Sequence, residues 1–338
     1  MVKIISFLQT FTIILVVVGH SFVGKAAEEP FVEAQTWIYS FHMPMFMLLS
    51  GWLFSYKNKD HLSGIKWFGK DGFIIGKIKR LLVPYFLLST VAFFVKAQFS
   101  QYAVRPIGFT FDDYLHQLIY PYDNAMGHMW FLPTLFFIFL IVVCINKLLK
   151  KIPMPILQGI MLVVFLIVSL FFKPLQIKIL NVSGILYYLF YFQLGVMIER
   201  YGIFERIEKS KIHVEAFVLF LLSILLLLVP MFFGQKQVAA LVGIVFSVCL
   251  GYIYLHHNSH FLDHLNGASY TIYLFSWFPQ VFCYQVLMKF FEVDGLLLFL
   301  LSCITGLYIP WFIYLYETKG KKTVLRTCLR FINGMKPS

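Results

Sequence analysis

Apolar residues run through this chain in stretches of about 20, separated by short polar segments, from one end to the other. A stretch of that length crosses a hydrocarbon core roughly 30 Å thick as a single α-helix. The runs are continuous rather than alternating, which favours helices over the strands of a membrane barrel. We therefore predict an all-α integral membrane protein with about ten transmembrane helices in one bundle. The expected spans are 4–22, 36–55, 74–95, 129–146, 154–172, 184–199, 213–233, 238–256, 268–288 and 296–316.

Composition agrees with this interpretation. The chain is 60% hydrophobic, 19% aromatic and 13% charged, whereas a soluble domain carries about 25% charged residues. Its five cysteines show no metal-binding spacing and imply no disulfide framework. The first apolar run, followed by KAAEE, also fits a signal peptide with a small-residue cleavage site. The further spans favour an uncleaved first helix instead.

Charge sets the predicted orientation. In a soluble protein, the net charge of +12 would indicate nucleic-acid binding. In membrane proteins, however, lysine and arginine accumulate in the cytoplasmic loops. With the N-terminus inside, 21 of the 28 lysines and arginines fall on the cytoplasmic side. We therefore predict that both termini are cytoplasmic and that the protein is a multi-pass protein of the cell inner membrane. Membrane lipids are expected partners and nucleic acids are not.

Three predicted helices bring histidines to a similar depth near the outer side. FTIILVVVGHSF, residues 11–22, ends the first helix at His20, and FHMPMF puts His42 about two turns below the outer surface in the second. GHMWFL places His128 and Trp130 at the outer end of the fourth helix. Ionisable residues within a membrane mark functional sites by default. The structural alternatives are a helix-end histidine among headgroups, a packing histidine and an aromatic-belt tryptophan.

Basic residues cluster where the predicted third helix enters the membrane, at Lys77, Lys79 and Arg80 in GKIKRLLVPY. Such residues enforce orientation whatever the function, yet they also suit the binding of phosphate groups. On the outer side, the loop at about 96–127 is long enough to fold over a site as a lid. We divide the chain into a membrane domain, 1–316, and a basic cytoplasmic tail, 317–338, which anionic lipids would attract.

One loop offers a metal-binding alternative. In HHNSHFLDHL, His256, His260 and His264 would share one face of a helix, with Asp263 beside them. Zinc binding is conceivable for such a set. No second ligand cluster appears, so we predict no metal site.

Five motifs in order resemble the membrane-bound acyltransferase 3 family, over most of the chain. LVVVGHSF resembles the end of that family's first helix, and FHMPMFMLLSGWLF resembles its second-helix motif. KIKRLLVPY is similar to the entry of its third helix, GHMWFLPTLF to a middle helix, and NGASYTIYLFSW to a late stretch. Each motif alone is weak. Their combination on ten predicted helices makes the resemblance specific.

The resemblance implies a chemistry. Members of the family move acyl groups, most often acetyl, from cytoplasmic acyl-CoA to a hydroxyl across the membrane, typically on a cell-surface or lipid-linked glycan. The residue that carries the reaction in the family corresponds to His20. We expect His42 to orient it, to polarise the carbonyl or to bind the acceptor. The expected binding residues are Gln9, Lys77, Lys79 and Arg80 for acyl-CoA, in the simplest case acetyl-CoA, and His128 and Trp130 for the glycan, with no permanently bound cofactor.

The chain departs from the family pattern at three places. The family usually has arginine or lysine at the position of Gln9, which lies about three turns before His20 on the same helix face. An aspartate three residues earlier is replaced by Ser6. Soon after Ile-Tyr-Leu, where the family usually has histidine, this chain has Phe275 and Ser276.

Glutamine supplies no charge. If a cation at this position normally holds an anionic part of the donor, another residue such as Lys3 or Arg80 must replace it. Two alternatives of a different class therefore stay open. One is a transporter or exporter of polysaccharide on the same scaffold, and the other is a non-catalytic subunit of a glycan-assembly complex.

Overall fold

The computed structural model describes residues 3–22, 31–58, 66–67, 69, 72–98, 100, 106–210, 217–224, 234–257, 259–290 and 293–335. These residues form helices and connecting turns and contain no strand, which confirms the predicted all-α class. The helices are α1 (Lys3–His20), α2 (Phe31–Lys57), α3 (Phe73–Gln98), α4 (Phe111–Ile119), α5 (Phe131–Leu148), α6 (Met154–Phe171), α7 (Val182–Arg200), α8 (Ile203–Lys209), α9 (217–224), α10 (Lys236–His256), α11 (Ser269–Phe275), α12 (Trp277–Phe290), α13 (Gly295–Lys319) and α14 (Val324–Ile332).

Seven helical segments in the described part of the chain are long and apolar enough to cross a membrane. The predicted span 36–55 lies within α2, which is not among the seven. Only 217–224 of the predicted span 213–233 falls within the described residues, and the predicted span 268–288 is divided between α11 and α12. A membrane helical bundle is therefore supported, whereas the count of ten and the side of the termini stay predictions. The seven segments are Lys3–His20, Phe73–Gln98, Phe131–Leu148, Met154–Phe171, Ile179–Arg200, Lys236–His256 and Gly295–Lys319.

The chain forms two compact units. The first contains residues 1–53 and 198–315, and the second contains residues 54–197 and 316–338. The predicted division into 1–316 and a tail stays a prediction.

Close aromatic packing builds the core of the first unit. The rings of Trp37, Phe41 and Phe246 pack edge to face, with the Trp37 and Phe41 centroids 5.0 Å apart. A Cβ atom at Gly243 would lie 2.2 Å from the ring of Phe41, so only glycine allows α10 to approach α2 this closely. Van der Waals contact of this kind is a main source of helix association where lipid surrounds the bundle.

Aromatic rings and buried amides together hold the second unit. Phe139 on α5 packs against Phe192 on α7 with centroids 5.2 Å apart. Gln193 Nε2 donates to Gln158 Oε1 at 2.7 Å, and Gln158 Nε2 donates to Asn146 Oδ1 at 2.6 Å. All three amide side chains are fully buried. The hydrogen bonds therefore join α5, α6 and α7 in surroundings where polar groups must find partners within the protein.

The predicted outer loop at about 96–127 contains ordered structure. Thr110 and Asp113 form a capping box that starts α4, and the hydrogen bonds from Thr110 hold the pKa of Asp113 below its ordinary value. Tyr85 Oη donates to Leu118 O at 2.9 Å, which attaches α4 to α3. The described part of this segment therefore contains an amphipathic helix, Phe111–Ile119, that is docked on α3.

Candidate active site

His20 is the last residue of α1 and is partly exposed. Its ring centroid lies 6.1 Å from that of Tyr39 on α2. The end of α1 presents carbonyl groups that no later turn of the helix satisfies. Side chains from other helices supply those hydrogen bonds, and they thereby fix the position of His20.

Tyr39 and Gln35 supply two of these bonds. Tyr39 Oη donates to Gly19 O at 3.1 Å, and Gln35 Nε2 donates to the same oxygen at 3.0 Å. A Cβ atom at Gly19 would lie 2.6 Å from the ring of Tyr39. The Tyr39 ring occupies the space that a side chain at position 19 would need, so this close approach of Tyr39 to α1 requires glycine. The side chain of Tyr39 remains 43% exposed.

Gln280 holds the same end of α1 from α12. Its Nε2 donates to Val17 O and to Ser21 Oγ, both at 2.9 Å. Ser21 Oγ in turn donates to Val17 O at 2.9 Å. A Cβ atom at Gly306 would lie 2.6 Å from Gln280, so α13 leaves space for this amide. The last turn of α1 is thus bonded to both α2 and α12.

His42 is buried on α2, and its ring centroid lies 5.1 Å from that of Tyr39. Its Nδ1 lies 2.8 Å from Ile38 O. A carbonyl oxygen can only accept, so Nδ1 carries the proton and Nε2 of the neutral ring is an acceptor. The ring can therefore receive a proton or a hydrogen bond at Nε2. Tyr39 thus neighbours both of the histidines that the sequence singled out.

Polar contacts also anchor the middle of α1 to the late motif. Thr10 Oγ1 donates to Asn266 Oδ1 at 3.0 Å, just before α11 begins. Gly267 has φ 85°, a conformation that suits glycine and allows the sharp entry into α11. Gln9 and Ser6, the two departures on α1, are both partly exposed. Of the two residues at the third departure, Ser276 is buried at the break between α11 and α12.

The three basic candidates lie on α3 in the second unit. Residues Ile78–Leu82 form a π-helical turn within α3, and such turns often occur at functional sites. Lys79 and Arg80 are exposed. Lys77 is different, because its Nζ lies 3.3 Å from the centroid of the Phe139 ring. The cluster therefore combines two exposed cations with one that an aromatic face holds.

His128 and Trp130 are buried in the second unit, in the turn before α5. Trp130 stacks with Tyr122 at 5.0 Å and with Tyr188 at 5.5 Å between ring centroids. Burial raises the pKa of Tyr122 above its ordinary value. The expectation that Trp130 stacks on a sugar meets a physical difficulty, since neighbouring tyrosines already stack with this indole.

The described histidines of the loop make separate contacts. His256 Nδ1 donates to Tyr252 O at 2.9 Å, whereas His260 Nδ1 contacts Asp263 Oδ2 at 2.8 Å. The hydrogen bond from His260 holds the pKa of Asp263 below its ordinary value. Among the described residues, no three His, Cys, Asp or Glu side chains are grouped so that they could hold a metal ion.

Sequence reasoning selected His20 and His42 but missed the residues that surround them. Tyr39 and Gln280 are polar residues within largely apolar segments and lie 241 positions apart in sequence. No local pattern relates either of them to α1. The one available signal was Gly19, a small residue next to His20 that indicated a close neighbour.

Comparison with family models gives a match over most of the chain. The model of an acyltransferase domain, acyltransferase family 3, matches residues 2–315, which run from α1 to near the end of α13. No curated protein and no solved structure gives a significant match. The assignment therefore rests on the family model and agrees with the motif resemblance.

Proposed function

The chain belongs to acyltransferase family 3, and on that premise we propose that it transfers an acyl group from cytoplasmic acyl-CoA to a hydroxyl of a cell-surface or lipid-linked glycan. The acyl group is acetyl in the simplest case, and the protein resides in the inner membrane. The observation that carries the proposal is the pair of imidazoles, His20 and His42, that neighbour the ring of Tyr39.

His20 is the general base in this proposal. A ring nitrogen removes the proton from the glycan hydroxyl while the oxygen attacks the thioester carbon. The C–S bond then breaks, and the CoA thiolate takes up the proton that the imidazole received. His42, with Nε2 as its acceptor atom, orients the hydroxyl or His20. The hydrogen bonds to Val17 and Gly19 hold the base in place, which reduces the cost of aligning the reactants.

Cations of the second unit bind the donor in this proposal. Arg80 and Lys79 are exposed and suit the phosphates of CoA. Lys77 adds positive charge from its aromatic surroundings. Gln9 contributes hydrogen bonds rather than the charge that the family usually has there. His128 and Trp130 bind the acceptor, Trp130 through its edge because its neighbours already stack with it.

Mass spectrometry of surface glycans tests the proposal directly. The strains are wild type, deletion, His20→Ala and His257→Ala, the last as a control because His257 is an exposed loop residue. We expect deletion and His20→Ala to remove the acyl mass increment, because loss of a general base costs roughly 10²- to 10⁴-fold in rate. His257→Ala should retain it. Full acylation in the His20→Ala strain, with normal protein levels, would rule out the proposed base.

A second candidate is an exporter of polysaccharide, favoured by the uncharged residues Gln9 and Ser6 at positions where the family usually has charges. An exporter moves the glycan without altering it. Deletion would then reduce the amount of surface glycan, and His20→Ala would leave both its amount and its acylation unchanged. The same four strains therefore separate the two functions.

A further inference from the structure

The short helix α14 is amphipathic in an inverted sense. Val324, Leu325 and Phe331 are 82%, 61% and 58% exposed. Arg326, on the opposite face, is only 9% exposed. A helix at the surface of a soluble protein turns its apolar stripe inward and its charges outward. The reversed arrangement indicates that an apolar medium covers the outer face of α14.

Glu317 fixes the polar face of α14. Arg326 Nε donates to Glu317 O at 3.0 Å, and Arg330 Nη1 donates to the same oxygen at 3.1 Å. Asn333 Nδ2 donates to the Glu317 carboxylate, which is fully buried. Thr323 caps the helix by accepting from Arg326 N at 3.1 Å. Rotation of α14 to expose its arginines would break these contacts, so its apolar face stays outward.

Chain connectivity places α14 beside the membrane boundary. Four residues separate the end of α13 at Lys319 from the start of α14 at Val324, and α13 is long and apolar enough to cross a membrane. At the other end, a Cβ atom at Gly334 would lie 2.8 Å from Arg80 Cα on α3, another such segment. Both ends of α14 are thus attached to helices long enough to span the membrane. An attachment of this kind holds the helix along the boundary between lipid and water.

An apolar groove lies beside α14. It has a volume of about 440 Å³, comparable with small-molecule pockets. Leu87 of α3 forms one side, and Cys328 and Phe331 of α14 form the other. A second groove shares Cys328 and extends to Lys322. An apolar slot that leads to a lysine matches a molecule with a hydrocarbon chain and an anionic head.

We propose that α14 is an interfacial helix that binds anionic phospholipid, with acyl chains against its apolar face and groove and the headgroup phosphate near Lys321 and Lys322. Charge selects this partner, because every charged residue after Glu317 is basic. Anionic lipids attract basic segments. Burial of the short apolar face of α14 in the bilayer strengthens the binding, because it removes apolar surface from water. The inference is independent of the proposed acyl transfer, since it concerns only the anchoring of the C-terminal segment.

Lipid-quenching fluorescence tests the proposal on the full-length protein in nanodiscs. Cys328 lies on the exposed face of α14 and accepts a polarity-sensitive dye once Cys144, Cys249, Cys283 and Cys303 are replaced. The matched control carries the dye at Lys150→Cys, with Cys328 also replaced, in the exposed turn between α5 and α6. Lipids brominated in the upper acyl chain should quench the dye at Cys328 several-fold more than the control dye.

The lipid headgroup is tested with brominated anionic and brominated zwitterionic lipid in mixed discs. We expect several-fold stronger quenching at Cys328 by the anionic lipid at low salt, and loss of that preference in Lys321→Gln/Lys322→Gln. Leu325→Gln/Phe331→Gln should lower quenching by both lipids while circular dichroism stays unchanged.

Three results would overturn the proposal. Equal quenching at Cys328 and at the control position would show that the face of α14 is not in lipid. Equal quenching by the two lipids would remove the anionic preference. If quenching at Cys328 is lost in discs that contain two copies of the chain, the second copy rather than lipid covers the apolar face of α14. Photobleaching steps count the copies in each disc.

Discussion

The two units hold their candidate residues by different physical means. In the first unit, directed hydrogen bonds from Tyr39 and Gln280 end on carbonyl oxygens of the last turn of α1, each within 3.1 Å. In the second, aromatic rings enclose Trp130 and Lys77, with few hydrogen bonds to either side chain among the described residues. A hydrogen bond fixes distance and direction, whereas a ring face tolerates sliding.

This difference predicts which positions should be most sensitive to mutation. Proton transfer needs the base within hydrogen-bonding reach of the hydroxyl, so small displacements of His20 are costly. A phosphate can be attracted from a range of distances by several cations at once. We therefore expect small changes near His20 to affect turnover strongly, and changes near Lys77 to affect donor affinity mildly. The following four predictions test this contrast, from the largest effect to the smallest.

His20→Gln should give the largest loss. Glutamine retains hydrogen bonding but cannot accept a proton near neutral pH, so kcat should fall by roughly 10²- to 10⁴-fold. His128→Leu in the second unit removes hydrogen bonding at that position, and it should instead raise the KM for the acceptor by about tenfold or less, as expected for one lost neutral hydrogen bond. Kinetics of purified protein in nanodiscs measures both constants. Equal effects on kcat would erase the distinction between the units.

Gly19→Val should be nearly as damaging, through displacement rather than lost chemistry. The Cβ position lies 2.6 Å from the ring of Tyr39, so valine must push that ring away. Overpacking of this kind costs about 1–3 kcal/mol of unfolding free energy. The double variant Gly19→Val/Tyr39→Ala should recover stability but not activity. Thermal unfolding measures the recovery of stability. If the stability losses of the two single variants simply add in the double variant, position 19 and Tyr39 are not in contact.

Gln280→Leu should have an intermediate effect. The substitution keeps most of the volume but removes the donors to Val17 O and Ser21 Oγ. We expect about 1–3 kcal/mol of destabilisation and a lower kcat with little change in KM. Gln35→Leu is the matched control, because it removes one bond to the end of α1, whereas Gln280→Leu removes two. A control loss as large as that of Gln280→Leu would show that the number of bonds to α1 is unimportant.

Lys77→Met should have the smallest effect. Methionine retains the apolar stem between the rings and removes the charge, which gives up about 0.5–2 kcal/mol of cation–π attraction and relieves the burial of an ammonium group. The KM for acyl-CoA should rise several-fold while kcat is unchanged. Lys77→Arg should restore the KM. A rise that Lys77→Arg fails to reverse would indicate a packing role instead of an electrostatic one.

Much of the fold follows from local sequence. The apolar run before Gly19 predicts α1, and α1 ends at His20 within two residues of the expected end. The predicted span 154–172 corresponds to α6, Met154–Phe171. Continuous apolar runs fix helices because every backbone polar group must be satisfied within the segment. These elements required no knowledge of their neighbours.

The surroundings of the site were not predictable in the same way. The residues that meet between two helices depend on which helix faces are in contact. A helix that is apolar on every side gives no sign of which face that is. Gln280 contacts α1 across more than 250 residues of sequence. The C-terminal segment illustrates the same limit, because its basic composition suggests outward charges while Arg326 points inward to Glu317. The partner is the backbone carbonyl of Glu317, which no local pattern in the sequence identifies.

The amide chain of the second unit has a consequence for assembly in the bilayer. Every donor in it runs one way, from Gln193 to Gln158 to Asn146 and finally to Val142 O. Apolar helices in lipid have little to stop them from sliding along one another, yet a shift of one residue displaces an amide by about 1.5 Å along the axis and turns it by roughly 100°. A slipped arrangement would break the two amide bonds that join different helices, from Gln193 to Gln158 and from Gln158 to Asn146. The chain of amide hydrogen bonds therefore fixes the register of α5, α6 and α7 along their axes.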